Sequence, residues 1–362
     1  MTTAERPRAA VYCEGAFTSS NGKTAHGLVR RSERYLVECI IDSHHAGKDA
    51  GELLDGKASG QPIVSSVDEA VARARESGAP LTQFVVGLAP DGGRLSADHR
   101  TQVARALELG LHVDSGLHDF LGDDPQLAAL ARDGGLRIRD IRRPPPVDEL
   151  HFFEGTIEAV GCPRIAVLGT DSAVGKRTTA WMLVDAFIAA GHRAVLVGTG
   201  QTAWLQGARY CLILDSLVND FVAGEIEHAV YSAWCEERPD VIVVEGQGSL
   251  LNPAYPGGFE ILAAARPAAI VLQHVPARTE YDGFEGYPIH PLSRQIEALE
   301  LIADRPVAAI TINPSGLEPE EAALIGQRLA VEYGVPVVEP MREGLTSVVR
   351  ALRPYLRPRE TA

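Results

Sequence analysis

The sequence predicts an α/β protein of two domains, each built around a parallel sheet. Three observations carry that expectation. Short apolar runs rich in β-branched residues alternate with helical-period stretches along the whole chain. A glycine-rich stretch at 169–179, GTDSAVGKRTT, lies between one such run and one such helix. Three consecutive prolines, Pro144-Pro145-Pro146, interrupt the alternation with a segment that excludes helix and favours an extended connector. The 362 residues suffice for two sizeable cores.

In the first half, strands are expected at Ala9–Cys13, Leu36–Ile41, Gln83–Gly87, Leu111–Asp114 and Leu136–Ile138, with helices at Val67–Glu76 and Ala97–Leu109. The stretch GAFTSSNGKTAHG at 15–27 follows the first strand and ends in Gly-Lys-Thr. Six residues separate Gly15 from Gly22, and no acidic strand-end motif accompanies it, so it reads as a turn opening a helix at Lys23 rather than as a nucleotide site. The prolines set the expected boundary, giving domains 1–146 and 147–362. In the second domain, strands are expected at Arg164–Leu168, Ala194–Val197, Val241–Val244, Ala269–Leu272, Val307–Ile312 and Pro336–Val338. Helices fit Thr179–Ala190, Glu225–Glu237, Pro291–Ala303 and Glu318–Tyr333, and residues 357–362 are expected to fray.

Composition narrows the function. Hydrophobic residues make up 45% and charged residues 23%, an ordinary globular balance. No apolar run approaches the roughly 20 residues that span a bilayer, and the N-terminus, MTTAERPRAA, lacks the apolar region of a signal peptide. A cytoplasmic protein with no membrane partner is expected. The net charge of −14 argues against nucleic acid as a partner, while a local basic pocket still admits a small anionic ligand. Cys13, Cys39, Cys162, Cys211 and Cys235 are scattered and form neither a disulfide framework nor a zinc pattern. His44 and His45 lack further ligands, so no metal is expected there. A symmetric homo-oligomer is the expectation for a two-domain α/β chain.

The chemistry concentrates at 169–179. A glycine-rich turn lets backbone N–H groups converge on an anion, the following helix adds partial positive charge, and Lys176 adds a full one. The pattern departs twice from the usual phosphate loop: five residues rather than four separate Gly169 from Gly175, and Arg177 stands where a hydroxyl is usual. Downstream, VIVVEGQGS at 241–249 reads as a buried strand ending in an acid. Glu245 fits the place of an acid that faces bound phosphates and Mg²⁺, and Gly246 and Gly248 allow close backbone approach.

The paired motifs GTDSAVGK and VVEGQGS resemble dethiobiotin synthetase and related synthetases, whose loops also carry five residues between the glycines. The resemblance implies a phosphate-loop NTPase-like parallel α/β domain and gives Asn313 an adenine-reading place; a turn before Pro314 is the plainer reading. Arginine cannot ligate a metal, so Arg177 leaves two readings. Thr178 or Thr179 substitutes for the missing hydroxyl, or the loop grips a phosphate without cleaving it, which suits coenzyme A.

A longer resemblance spans nearly the whole chain: the loop form GTDSAVGKRTT, LDSLVNDFVAGEIEHAV at 214–230, VEGQGSL at 244–250 and QHVPARTEYDGF at 273–284. It is similar to the D-glutamate N-acetyltransferase family, long described as a domain of unknown function. This implies a Rossmann-like N-terminal domain followed by the phosphate-loop domain. It also implies acetyl-CoA held by Gly169, Thr170, Asp171, Ser172, Ala173, Val174, Gly175, Lys176, Arg177 and Thr178, and transfer of an acetyl group to an acidic amino acid. An amine attacking a thioester must lose a proton, for which Asp215, Asp220, Glu227 and His228 are candidates. Asp215 reads equally as a helix cap. Arg278 can hold a substrate carboxylate or sit in an ordinary ion pair, with His274 and Tyr281 beside it in an irregular segment at 273–290. Backbone N–H groups at 246–248 are candidates for the oxyanion. The alternatives are an ATP- and Mg²⁺-dependent synthetase or kinase acting on a carboxylate, and a regulatory nucleotide binder.

Overall fold

A computed structural model describes residues 6–356. The expected fraying of 357–362 and the first five residues lie outside the described residues. The chain divides into two compact units, one of residues up to Pro145 together with Gln201–Ala208, the other of Pro146–Gly200 and Arg209 onward.

The first unit holds strands β1 (Arg8–Tyr12), β2 (Leu36–Ile41), β3 (Ile63–Val64), β4 (Gln83–Val86), β5 (His112–Ser115) and β6 (Ile138–Asp140). All pairings are parallel, in the order β3-β2-β1-β4-β5-β6, the doubly wound Rossmann order. The helix Val67–Glu76 starts where Ser66 accepts the N–H of Glu69, and Ala97–Glu108 starts where Ser96 accepts that of His99. The two-residue β3 escaped the sequence reading because so short a run has no period.

As expected, the turn at 15–27 opens a helix at Lys23, Lys23–Arg30. The unit itself occupies two of the turn's donors. Ala25 N–H donates to Gly87 O at 3.2 Å, and Gly15 N–H to Asp42 Oδ1 at 3.1 Å. Asp42 is the acid at the end of β2, where a dinucleotide fold binds ribose; here it is fully buried and also lies 2.8 Å from His45 Nδ1. The helix Gln201–Gln206 joins this unit from far along the chain: Gln206 Nε2 donates to Gly27 O, and Arg34 stacks over Trp204 at 3.6 Å.

The second unit holds β7 (Arg164–Gly169), β8 (Ala194–Gly198), β9 (Tyr210–Cys211), β10 (Val241–Glu245), β11 (Ala269–His274), β12 (Val307–Ile312) and β13 (Val337–Val338). Again every pairing is parallel, in the order β13-β12-β11-β7-β10-β8-β9. Central strands buried on both faces explain the unbroken apolar runs VIVV and AIVL. Helices Asn219–Glu237 and Phe259–Ala265 pack on a core that includes Ile226, Val230, Val244, Ile261 and Leu272. β7 lies between β10 and β11, so the loop after it opens at the centre of the strands' carboxyl edge, where α/β folds bind ligands.

Among the described residues no helix is long and apolar enough to cross a membrane. All five cysteines are free, three of them buried.

Candidate functional site

The loop after β7 has the form its sequence demands. Ala173 at φ 51° and Gly175 at φ 110° turn the chain through left-handed conformations, and the helix Lys176–Ala189 begins at the lysine, three residues before the expected start. The apolar period seen from Thr179 onward marked only the part of the helix that packs on the sheet. At Gly169 a Cβ would come within 2.9 Å of Lys176 Cδ, so a glycine lets the lysine fold back over the loop. Lys176 Nζ donates to Asp171 O at 2.6 Å and Gly248 O at 2.8 Å, which parks the cation across the loop mouth.

Asp171 is the hub. It is fully buried, and its carboxylate accepts from Ser172 N–H and Asn252 Nδ2 at 2.7 Å each, from Arg278 Nη1 at 2.7 Å and from Asp282 N–H at 2.8 Å. Arg278 Nη1 also donates to Ser172 O. Of the two readings of Arg278, the structure shows the ion pair, with a residue of the loop itself. The irregular segment at 273–290 is thereby tied down over the loop. His274 Nδ1 lies 3.0 Å from Thr170 Oγ1, and burial pushes its imidazole down to about 4, so the ring is neutral at pH 7. Tyr281 is buried, its hydroxyl donating to Leu251 O at 2.9 Å beside His290 Nδ1, and burial raises its phenol.

Three further groups brace the loop. Thr179 and Thr311 hydroxyls both donate to Gln273 Oε1. Asn313 Nδ2 donates to Val174 O at 3.1 Å, while its Oδ1 accepts from Ser315 N–H, the turn that Pro314 announced. Gln295 Nε2 donates to Thr170 O. Sequence reading missed Gln273, Gln295 and Asn252 because nothing in their local spacing marks them; strand and helix geometry alone brings them to the loop.

Glu245 ends β10 in register with Val167 of β7, 4% exposed, and accepts Thr199 N–H at 3.1 Å. Burial raises its carboxyl, opposed first by the Arg177 charge, then by the Thr199 bond and the Lys176 charge. The glycines beyond it make room for protein rather than for ligand: a Cβ at Gly246 would lie 2.5 Å from Val167 O, and one at Gly248 2.1 Å from Tyr255 O. Gly246 N–H donates to Val167 O at 3.0 Å, which removes it from the oxyanion role expected of it.

Residues 151–349 match the P-loop domain described as a domain of unknown function, DUF1611, and residues 43–144 match that family's Rossmann-like N-terminal domain. The chain belongs to the DUF1611 family. Two curated relatives named D-glutamate N-acetyltransferase, from Tritonibacter scottomollicae and a Pseudoalteromonas species, are each 31% identical over 74% of this chain and 80% of their own length. The crystal structure of a DUF1611 family protein from Anabaena variabilis matches with a TM-score of 0.86 at 30% identity, covering 96% of this chain and 99% of that one. The Rossmann-like and phosphate-loop architecture expected from the sequence is borne out.

Within this DUF1611 chain the four acid–base candidates separate. Glu227 is buried in the helix Asn219–Glu237 and accepts Glu154 N–H at 2.7 Å and Ile157 N–H at 3.0 Å, so it holds the segment that leads into β7. His228 stacks on His151 at 3.5 Å, and burial lowers its pKa. Both lie about 12 Å or more along the helix from its start, at 1.5 Å per residue. Because this helix leads back to β10 in a parallel sheet, its first turn is the end at the strands' carboxyl edge, and Asp220 lies there. Asp215 is not the expected cap, since Val218 precedes the helix without a side-chain cap. It sits in a single turn, Leu214–Ser216, fastened by Leu214 N–H to Thr199 O at 3.1 Å, and Thr199 in turn holds Glu245.

A phosphate loop that cleaves nucleotide uses Mg²⁺, held by the hydroxyl after the lysine and by the strand-end acid. The residues here do not fit it. Arg177 has no acceptor to offer a cation. Thr179 is committed to Gln273, and Thr178 is turned about 100° round the helix from position 177. Among the described residues no group of three or more His, Cys, Asp or Glu side chains is placed to hold a metal ion.

Proposed function

We propose that the chain is an N-acetyltransferase that moves an acetyl group from acetyl-CoA to the amino group of an acidic amino acid, D-glutamate. The observation that carries this reading is the match to two relatives of that name across 80% of their length. The loop's chemistry supports it, because an arginine after the lysine suits a phosphate that is gripped and kept. In this reading the coenzyme diphosphate lies on the loop 169–178, with Lys176 swung from its carbonyls onto a phosphate oxygen. Asp215 or Asp220 takes the proton from the substrate ammonium. The freed amine attacks the thioester carbon, the N–C bond forms, the C–S bond breaks, and the thiolate leaves to be protonated. Asp171 and Arg278 hold the loop and its covering segment in place.

The test is thiol release from acetyl-CoA in the presence of D-glutamate and, separately, L-glutamate, followed with the N-acetylated product by mass spectrometry. Product from D-glutamate without added metal is the expected result. Formation of ADP or AMP from ATP with a carboxylate substrate, abolished by EDTA and with no acetylated product, overturns the reading in favour of a synthetase.

A further inference from the structure

We propose that Arg177 is a built-in cation of the phosphate loop, which takes the place of the divalent metal and makes binding of a diphosphate ester independent of metal ions. Arg177 is the second residue of the helix Lys176–Ala189, the position from which a hydroxyl would reach a metal beside the strand-end acid. Its Nε is shut off from solvent, in a residue that is half-buried. The acid it would share with a metal is Glu245, at the end of the strand hydrogen-bonded to the one that feeds the loop. Burial pushes the Glu245 carboxyl up, and the positive charges that oppose this are Arg177, the stronger, and Lys176. Lys176 in turn reaches across to Gly248 O, three residues past Glu245. The charges of both cations of the loop thus act on the acid.

The substitution changes what the loop can do. A guanidinium presents a planar fork that matches two phosphate oxygens, and its charge is never lost to deprotonation. A diphosphate diester carries one negative charge per phosphate, which Lys176 and Arg177 can meet between them. Cleavage of a terminal phosphate relies on a metal bridging its oxygens with those of its neighbour, and the donor set here lacks the place for it. The claim rests on the proposed function only in naming coenzyme A as the ester; metal-free diphosphate binding stands apart from it.

The experiment is calorimetric titration of the full chain with CoA, with ADP and with inorganic pyrophosphate, each in EDTA and again in excess Mg²⁺. The wild-type protein is expected to bind CoA equally well in both. Arg177→Thr is expected to weaken binding in EDTA by about tenfold or more, as loss of a charged hydrogen bond does, and to recover part of that loss in Mg²⁺. Arg177→Lys, which keeps the charge without the fork, is expected to fall between. Wild-type affinity that rises about tenfold with Mg²⁺, or Arg177→Thr binding as wild type in EDTA, overturns the proposal. So does failure of all three ligands to bind without metal. Metal-free binding of ADP or pyrophosphate with none of CoA sinks the acetyl-CoA reading and leaves this one standing. Should Arg177→Thr fail to fold, the wild-type metal comparison and Arg177→Lys still decide.

Discussion

Asp171 of the phosphate loop and Arg278 of the segment over it form an ion pair at 2.7 Å, the Asp171 side chain fully buried and that of Arg278 22% exposed. Removing one partner of a buried pair leaves an uncompensated charge, at a cost of about 3 kcal/mol or more. Asp171→Ala and Arg278→Ala are each expected to lose that much in denaturant unfolding, and the double variant less than the sum. Had Arg278 been held for a substrate carboxylate alone, Arg278→Ala would raise KM and leave unfolding untouched. That pattern would refute the structural role assigned here.

His274 gives the site a pH dependence of stability. Burial lowers its folded-state value from 6.5 to about 4, so between these limits the unfolded chain binds more protons. The contribution is present above pH 6.5 and lost as pH falls toward 4. At 1.36 kcal/mol per unit the ceiling is about 3 kcal/mol; the ring's partial exposure to solvent reduces it. His274→Gln keeps a group able to meet the Thr170 hydroxyl and removes the titration. Stability of the wild type minus that of the variant is expected to rise from pH 4 to pH 6.5. A flat difference would show that the buried ring does not titrate this way.

Lys176 Nζ is poised across the loop mouth, donating to the loop carbonyls of Asp171 and Gly248. Lys176→Met keeps the stem and removes the charge. It is expected to weaken CoA binding by about tenfold or more, the worth of a charge-assisted bond to phosphate. Titration that gives an unchanged Kd would place the diphosphate elsewhere.

How far the sequence carried depends on whether a feature is local. Strand Val307–Ile312 and helix Val67–Glu76 were read to the residue because each is one unbroken pattern. The loop at 169–179 was legible because glycine spacing, strand and helix adjoin in the chain. Its support was not: Gln273, Asn252 and Gln295 come from separate elements and are assembled only by the fold. The glycines at 246 and 248 show the same limit. Their need for backbone approach was readable, but which backbone approaches was not. The helix at 201–206, joined to the first unit, has no counterpart signal in sequence either.

Glu227 and Asp215 divide the acid–base candidates in a way mutation can check. Glu227 is buried and accepts two backbone N–H bonds from the segment leading into β7, at Glu154 and Ile157. Charged hydrogen bonds of this kind contribute about 1.5–3 kcal/mol each, and their loss would leave the buried Ile157 N–H unmet. Glu227→Ala is therefore expected to lower stability by about 3 kcal/mol while the folded fraction retains its turnover number. Asp215 and Asp220 are exposed at the strands' carboxyl edge, so Asp215→Asn and Asp220→Asn are expected to leave unfolding unchanged. If one of them is the base, its variant loses about 10²–10⁴ in kcat, and the pH–rate profile loses its acid limb. Unfolding curves and kcat measured on the same preparations separate the two kinds of residue. A Glu227→Gln variant that folds as wild type but does not turn over would return Glu227 to the chemistry and remove Asp215 and Asp220 from it.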